Sequence, residues 1–575
     1  MRKTDGSDVP IRRRPVRSFV RATAGAAAAA LLLGAPAASA SADEPAPGRT
    51  LARQAVEERE HWNTTDHSKH EELQAEFHAG PEVTRACLSC HTEASLQFHQ
   101  TIHWTWADPF ADPAKRNGKG GWTVNNFCIN IHSNEPRCTC CHAGYGWKDD
   151  TFDFTDQNRV DCLVCHEQTG TYVKFPAGAG NPAAEEMVFK GNGKTYYPPD
   201  WNRVAQSVGR PTRRNCGVCH FDGGGGDGVK HGDLDSSLRE PNRELDVHMG
   251  TDGEDFDCVR CHTTRGHLIA GRIYSTPAAP DRRSLIEDDL APKIMCESCH
   301  SDKPHKPGVK ANDHTDKVAC QSCHIPTFGR GLPTKMWWDW SKAGNKKDGK
   351  PYTEKGPYDR PVYDTKKGEF VWAVDVVPEY AWFNGSIPTL TAADEIDPGS
   401  TPVRVSWPLG ARSDPNSRIF PFKVHRGKQP YDTENKTFLV PHLFGKPDSD
   451  AYWAHYDWQR ALVSGQRAAG LPFSGKFDFI ETSFVYPTTH MVVPKERSLA
   501  CEECHADEAR LANLTGFYMP GRDRSRPVDV GGWGLVGFSV VAVAVHGSIR
   551  FVSYGSRKRK GGRKGGNDAA KEERS

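Results

Sequence analysis

The chain is short of the side chains that ordinarily fill a large interior. Only 37% of its 575 residues are hydrophobic, and its mean hydropathy is -0.66. One conventional aliphatic core is excluded at this length, so other apolar material has to supply the interior. No charge sign dominates either, since 74 Lys and Arg face 73 Asp and Glu for a formal net charge of +1. That balance excludes the strongly basic face that holds nucleic-acid phosphates, and no nucleic-acid partner is expected. Long uncharged runs are also scarce. One lies near the N-terminus, from about Ala22 to Leu33, and one near the C-terminus, from Gly531 to Ile549.

Cysteine, by contrast, is abundant and ordered. Of 18 cysteines, 16 fall into eight CxxCH motifs, whose thiol pairs are Cys87/Cys90, Cys138/Cys141, Cys162/Cys165, Cys216/Cys219, Cys258/Cys261, Cys296/Cys299, Cys320/Cys323 and Cys501/Cys504. A lone CxxC suits a zinc site or a disulfide as well as anything else. A histidine directly after every pair is required by neither. It is what a c-type haem needs: two thiols add across the vinyl groups and the next residue binds the iron. Eight covalent haems are therefore the expected cofactors and the missing apolar core. Their carboxylates, about sixteen in all, make the formal charge a poor guide to the loaded protein.

The motif histidines His91, His142, His166, His220, His262, His300, His324 and His505 are the expected proximal ligands, which leaves 17 of the 25 histidines. Electron-carrying haems generally take a second axial ligand. The candidates are His99 and His103, one helical turn apart on a predicted helix, then His231, His248, His267, His305 and His314 in loops between motifs, and His425 and His490 in the late segment. A substrate-binding haem needs a different or displaceable ligand. Lys148, six residues beyond His142 in CTCCHAGYGWKDD, is the candidate, provided burial or the metal keeps its amine neutral. Arg137 and His132 are the candidate anion-stabilising neighbours. Cys128 and Cys140 belong to no pair; each is read either as a buried thiol or as a group near the reacting haem.

Residues 1–42, with Arg12, Arg13, Arg14 and Arg17 before the apolar run, read as an export signal of the general secretory route. Seven motifs crowd residues 43–324, with first cysteines spaced 51, 24, 54, 42, 38 and 24 apart. The two short gaps predict that the second and third haems adjoin, and the sixth and seventh. Residues 325–500 carry no motif but many aromatics, including MWWDW, and are expected to wrap the haem stack. The eighth motif and its C-terminal segment occupy 501–530. A transmembrane helix is expected over 531–554, with a basic cytoplasmic tail over 555–575. The predicted fold is mainly α with extensive irregular structure and little sheet, because haems rather than strand pairing hold it together.

Four segments, HTEASLQFHQTIHWTW, NNFCINIHSNEPRCTCCHAGYGWKDD, DVHMG before Cys258, and ACQSCHIPTFGRG, resemble the octahaem tetrathionate reductase family of multihaem c-type cytochromes. The resemblance runs from about Asp66 to His505. It implies one active-site haem with a lysine axial ligand, mapped onto Lys148, the other haems being bis-histidine. It also implies a cysteine near the active haem, which aligns securely with neither Cys128 nor Cys140. The expected function is an exported reductase passing electrons to a small inorganic acceptor, tetrathionate first, with nitrite or hydroxylamine as alternatives. The expected partners are that small anion or nitrogen or sulfur oxide, the membrane through the C-terminal helix, and a quinol-linked electron donor; a homo-oligomer is compatible with these. The rival readings are a non-enzymatic conduit between the quinol pool and another exported redox protein, and hydroxylamine oxidation, a chemistry for which Tyr518 would be the candidate cross-linked tyrosine.

Overall fold

A computed structural model describes residues 45–57, 65–125, 127, 130–273, 278–282 and 293–568. The export signal, Cys128 and the end of the basic tail lie outside the described residues. The motif-bearing half is built of very short helices. Cys258–Cys261, Cys320–His324, Leu163–His166 and Glu297–His300 are each about one turn. One turn suffices, because residues three and four apart share a helix face, which puts both thiols and the histidine on one side. Two longer helices frame them. Helix α1 (Gly80–Leu88) delivers Cys87, and its start is held by Glu82, which accepts from the backbone N–H of His78 and Ala79 at 2.8 and 3.2 Å. Helix α2 (Arg213–His220) carries the whole fourth motif and begins at a capping box in which Asn215 accepts from the Thr212 N–H at 2.9 Å.

The expectation of little sheet is wrong for the late segment. Between Thr334 and Pro487 the chain forms an eight-stranded sheet. Its strands are β1 (Thr334–Asp339), β2 (Thr353–Lys355), β3 (Pro361–Asp364), β4 (Gly368–Ala373), β5 (Glu379–Phe383), β6 (Val403–Arg404), β7 (Arg418–Asp432) and β8 (Phe477–Pro487). The order is β6-β8-β7-β1-β4-β3-β2, with β5 also on β7. The long β7–β8 pair is antiparallel, with Val424 opposite Val485 and His425 opposite Phe484, whereas β7 and β1 run parallel. The physical reason lies in the segment itself. RIFPFKVHRGKQPYD and FDFIETSFVYP are rich in β-branched and aromatic residues, and with no covalent haem to pack on, their buried backbone groups need ladder partners.

The core follows the same division. One cluster gathers on the sheet, with Trp338, Trp340, Phe438, Val440, Ile480 and Tyr486, and takes in Val124 and Phe127 from the motif half. A second surrounds the first three motifs, with Val83, Trp104, Trp106, Trp147, Phe152 and Leu163. At the far end, α3 (Arg526–Asp568) stands apart. Its span Arg526–Arg557 is apolar, 32 residues long and 0% buried.

Candidate redox centres and the second motif

Two imidazoles that share one iron through bonds of about 2 Å stand with ring centres about 6 Å apart. Six motif histidines meet a second histidine at that separation. The pairs are His67/His91 at 6.3 Å, His103/His220 at 6.1 Å, His248/His300 at 6.0 Å, His262/His490 at 6.2 Å, His305/His324 at 6.2 Å and His314/His505 at 6.1 Å. Burial holds His220 down to about 3, and His262 and His324 to about 4, so these rings stay neutral at physiological pH, the form that binds a metal. Three of these motif rings have a fixed orientation: Nδ1 of His262, His300 and His505 faces the backbone carbonyl of Ala270, Gly48 and Pro520 at 2.8, 3.1 and 2.9 Å. That contact leaves Nε2 turned inward, and the residues present therefore fit c-type haem.

The space they enclose is continuous, with a volume of about 4430 Å³, several times that of an ordinary ligand pocket. The sulfurs show how the sites adjoin. Cys87 stands beside Cys162, Cys141 beside Cys219, Cys216 beside Cys258, and Cys296 beside Cys320. Cys261 feels Cys299, Cys323 feels Cys504, and Cys216 also feels Cys165. The motifs therefore run from the eighth through the seventh, sixth and fifth to the fourth, where the line divides to the second and, through the third, to the first. The short sequence gap between sixth and seventh motifs corresponds to a direct contact. The equal gap between second and third also brings the motifs together: the Asp161 N–H, beside Cys162, donates to the Ala143 carbonyl, beside His142, at 3.0 Å, and both motifs pack on one apolar cluster, while Cys141 also meets the fourth motif.

The second motif departs from the pattern. His142 is fully buried, and its Nε2 donates to the Trp104 carbonyl at 2.7 Å. Its ring is enclosed by Trp104, Trp106, Trp147, Phe152 and Phe154 at 4.9 to 6.2 Å. Gly144 makes the room, since a Cβ there would meet the His142 ring at 2.8 Å. The imidazole thus points into an aromatic cage and is absent from the cavity lining; burial holds its pKa near 3. Lys148, the expected partner, is exposed and also absent from the lining. Lys230 and Lys174 both face this cavity from the interior, and the one with an acidic partner is Lys174. Its Nζ lies 2.9 Å from Asp161 Oδ2, donates to the His142 carbonyl at 2.5 Å, and its charge is felt at Cys141. Asp161 is held in turn by the hydroxyls of Tyr145 and Tyr172 at 2.7 and 2.9 Å and by the Val164 N–H at 3.0 Å. Burial, then Asp161, pushes both tyrosines well above their usual pKa, so they stay donors.

Other sequence candidates fall elsewhere. His132 sits 3.7 Å from Glu135 and outside the cavity lining. Arg137 does line the cavity, but its guanidinium donates to the Pro176 carbonyl at 2.9 Å and stacks 4.8 Å over Phe189. His99 stacks on Trp104 at 4.5 Å, His231 packs against Tyr486 at 5.2 Å, and the buried His425 lies 4.9 Å from Phe127. None of these three faces a motif histidine. His267 packs edge-on against Phe98 at 6.0 Å and feels the charge of His166 and His91. Cys140 lies 3.9 Å from Cys141, whose thiol, with burial, holds it protonated. Tyr518 is 62% exposed and adjoins the eighth motif, not the second.

Two residues were missed from the sequence. His67 lies in DHSKH ahead of the first motif, where a cluster of histidines was the available signal. Lys174 had no local signal at all, because it reaches the second motif from beyond the third.

Residues 335–508 match the family described as bacterial cytochrome c. An uncharacterized protein of Archaeoglobus fulgidus is 24% identical over 262 residues, covering 38% of this chain and 85% of that protein. The crystal structure of octahaem cytochrome c from Shewanella oneidensis is 42% identical and superposes with a TM-score of 0.67, covering 78% of this chain and 95% of that one. With that identity over nearly the whole of a solved relative, and with imidazoles paired at iron-sharing distance, the chain belongs to the octahaem c-type cytochromes, the octahaem tetrathionate reductase family that its motif segments resemble.

Proposed function

We propose that this protein is an extracytoplasmic reductase carrying eight haems, in which the second motif is the reacting site and the other seven form the supply line. The observation that carries this reading is the inequality of the sites. Six motif histidines face a second histidine, whereas at the second motif the histidine is turned away and Lys174 faces the cavity. His267 serves as the second ligand of the His166 site in this reading. Bound haem supplies one-electron carriers and, at the second motif, a metal with a position for substrate.

The chain's own residues prepare that position. Asp161 and the His142 carbonyl both accept from the Lys174 Nζ, which fixes that cation beside the reacting position. The Tyr145 and Tyr172 hydroxyls spread the Asp161 charge so that it is not left bare. The Trp104, Trp106, Trp147, Phe152 and Phe154 cage keeps water from the His142 side. Tetrathionate is the first acceptor: two electrons cleave its central sulfur–sulfur bond into two thiosulfates with no proton required. Nitrite and hydroxylamine, which need protons, are the alternatives.

The other end of the line is the eighth motif. Residues 516–523 fold back on it, with the Pro520 carbonyl at His505 Nδ1, immediately before α3 begins. In this reading α3 anchors the protein. Its uncharged run spans about 30 Å at about 1.5 Å per residue, and a quinol-linked donor delivers electrons to the eighth site. Oxidation of reduced viologen by the haem-loaded protein, with tetrathionate, nitrite and hydroxylamine offered separately, tests the proposal. Fast turnover supports a reductase and identifies its acceptor. Failure with all three favours the conduit.

A further inference from the structure

Three of the histidines that face motif histidines are held by one recurring device. His490 opposite His262, His248 opposite His300 and His305 opposite His324 each donate their own backbone N–H to a side-chain oxygen that also faces ring Nδ1. At the fifth site the oxygen is Asp233 Oδ2, which accepts from the Thr489 and His490 N–H at 2.6 and 2.9 Å and lies 3.5 Å from His490 Nδ1. At the sixth it is Asp246 Oδ1, which accepts from the His248 and Met249 N–H at 2.8 and 3.0 Å and lies 3.9 Å from His248 Nδ1. At the seventh it is Asn312 Oδ1, 3.0 Å from the His305 backbone N and 3.1 Å from its Nδ1. Asp246 and Asn312 are near their histidines in the sequence, whereas Asp233 reaches His490 across 257 residues.

The three sites differ in charge. Asp233 and Asp246 are each 3% exposed, and among the described residues no lysine or arginine stands within ion-pair distance of either. Lys423 and Arg330 feel them from farther off, and each is tied to three other oxygens. Backbone N–H donors converge on both carboxylates, the setting that keeps such a group ionised. Asp246 also joins the two sites, because its Oδ2 accepts from the Val492 N–H at 3.2 Å, two residues past His490. Thr489 Oγ1 is a further neighbour of His490 Nδ1, at 3.1 Å. Asn312 carries no charge, and its amide donates to the His305 and Lys306 carbonyls at 3.0 and 3.2 Å, which fixes its oxygen toward the ring.

We infer that Asp233 and Asp246 are positioning residues that place a fixed negative charge behind the distal imidazoles of the fifth and sixth haems and make these two the low-potential stretch of the line, while Asn312 leaves the seventh higher. A carboxylate at Nδ1 favours the N–H tautomer there, leaves Nε2 for the metal and makes the ring a stronger donor. A more electron-rich ligand and a buried negative charge both favour the oxidised iron, so each of these sites becomes harder to reduce. In the proposed reductase, on which this consequence rests, the middle of the line is an uphill step between the entry end at the eighth site and the reacting end at the second.

The experiment compares the full, haem-loaded protein with D233N, D246N and N312D in redox titrations without any acceptor, followed by absorption and paramagnetic resonance. Asparagine keeps an oxygen for the backbone N–H groups, so D233N and D246N should retain every haem in its wild-type coordination. Each should make one haem easier to reduce, by about tenfold or more in the equilibrium constant, which is about 59 mV for one electron. N312D should make one haem harder to reduce by a similar factor. With no acceptor present, the outcome is separate from the reductase reading: shifted potentials in a protein that turns over nothing keep the inference and sink the reductase, and turnover with unshifted potentials does the reverse. Unmoved potentials in D233N and D246N, with coordination unchanged, overturn the inference. Should either Asn variant lose a haem or turn one high-spin, N312D decides, since it adds the charge and keeps the oxygen that His305 meets; a potential that does not fall in N312D then overturns the inference.

Discussion

Replacing Lys174 by Met bears most directly on the second site. The side chain is 3% exposed and paired with a carboxylate that is wholly buried. Breaking a buried ion pair ordinarily costs about 3–5 kcal/mol, because the partner charge is stranded. Here Asp161 keeps two tyrosine hydroxyls and the Val164 N–H, so about 2–3 kcal/mol is the reasonable expectation. Spread over the melting entropy of a folded body this long, at about 2.1 cal/mol/K per residue, that lowers Tm by only about 2–3 °C. The fold should survive and its spectrum should be interpretable. K174M should then change the absorption and paramagnetic resonance signature of one haem, leave the rest untouched, and reduce turnover about a hundredfold or more. K148M should change neither, since Lys148 is exposed. An unaltered spectrum in K174M with turnover preserved would refute the assignment of Lys174 to the second site.

Three further tests follow from other parts of the molecule. H67A should convert one haem to a five-coordinate, high-spin form with all covalent attachments intact by mass, whereas H99A should leave the coordination of every haem as in the wild type; the opposite result would reverse the two roles. Burial holds the Lys423 amine at about 7, against about 10.4 for a free lysine. Between those values the unfolded chain binds a proton that the folded protein does not, so stability should rise with pH across that window and fall as pH drops through it. Melting curves from pH 7 to 10 should show the slope in the wild type and a shallower one in K423M, and equal slopes would contradict the burial argument. Removing residues 526–575 should release the protein from membranes with its haems, its Tm and its viologen-linked turnover unchanged, since the apolar span of α3 is 0% buried; a truncated protein that still sediments with membranes would show that another surface holds it there.

Much of this was legible in the sequence for a simple reason. Covalent haem attachment is written in five adjacent residues, so all sixteen thiols and the motif histidines can be read without knowing the fold. The uncharged run before the basic tail is equally local. The histidines that stand opposite the motif histidines were half legible. His103, His248, His305, His314 and His490 stand opposite motif histidines as histidine supply suggested, but His99, His231 and His425 resemble them in the sequence and pack against Trp104, Tyr486 and Phe127 instead. A histidine's neighbours along the chain do not reveal which ring it will face. The sheet escaped notice for a related reason: residues 325–500 were read as packing around haems, whereas β7 and β8 bury most of their length against other strands and must satisfy their backbone there.

By itself, then, the sequence determined the chemistry that is local: haem attachment, most of the proximal imidazoles, and a helix suited to a membrane. The tertiary structure decided everything that depends on orientation or on distant segments meeting. It turned His142 into an aromatic cage through a bond to the Trp104 carbonyl, brought Lys174 from beyond the third motif to the second, and carried His490 off the end of β8 to His262. These outcomes share one cause. A CxxCH motif constrains atoms within a single turn, while a second ligand is chosen by packing and buried hydrogen bonds between parts of the chain that no local pattern relates.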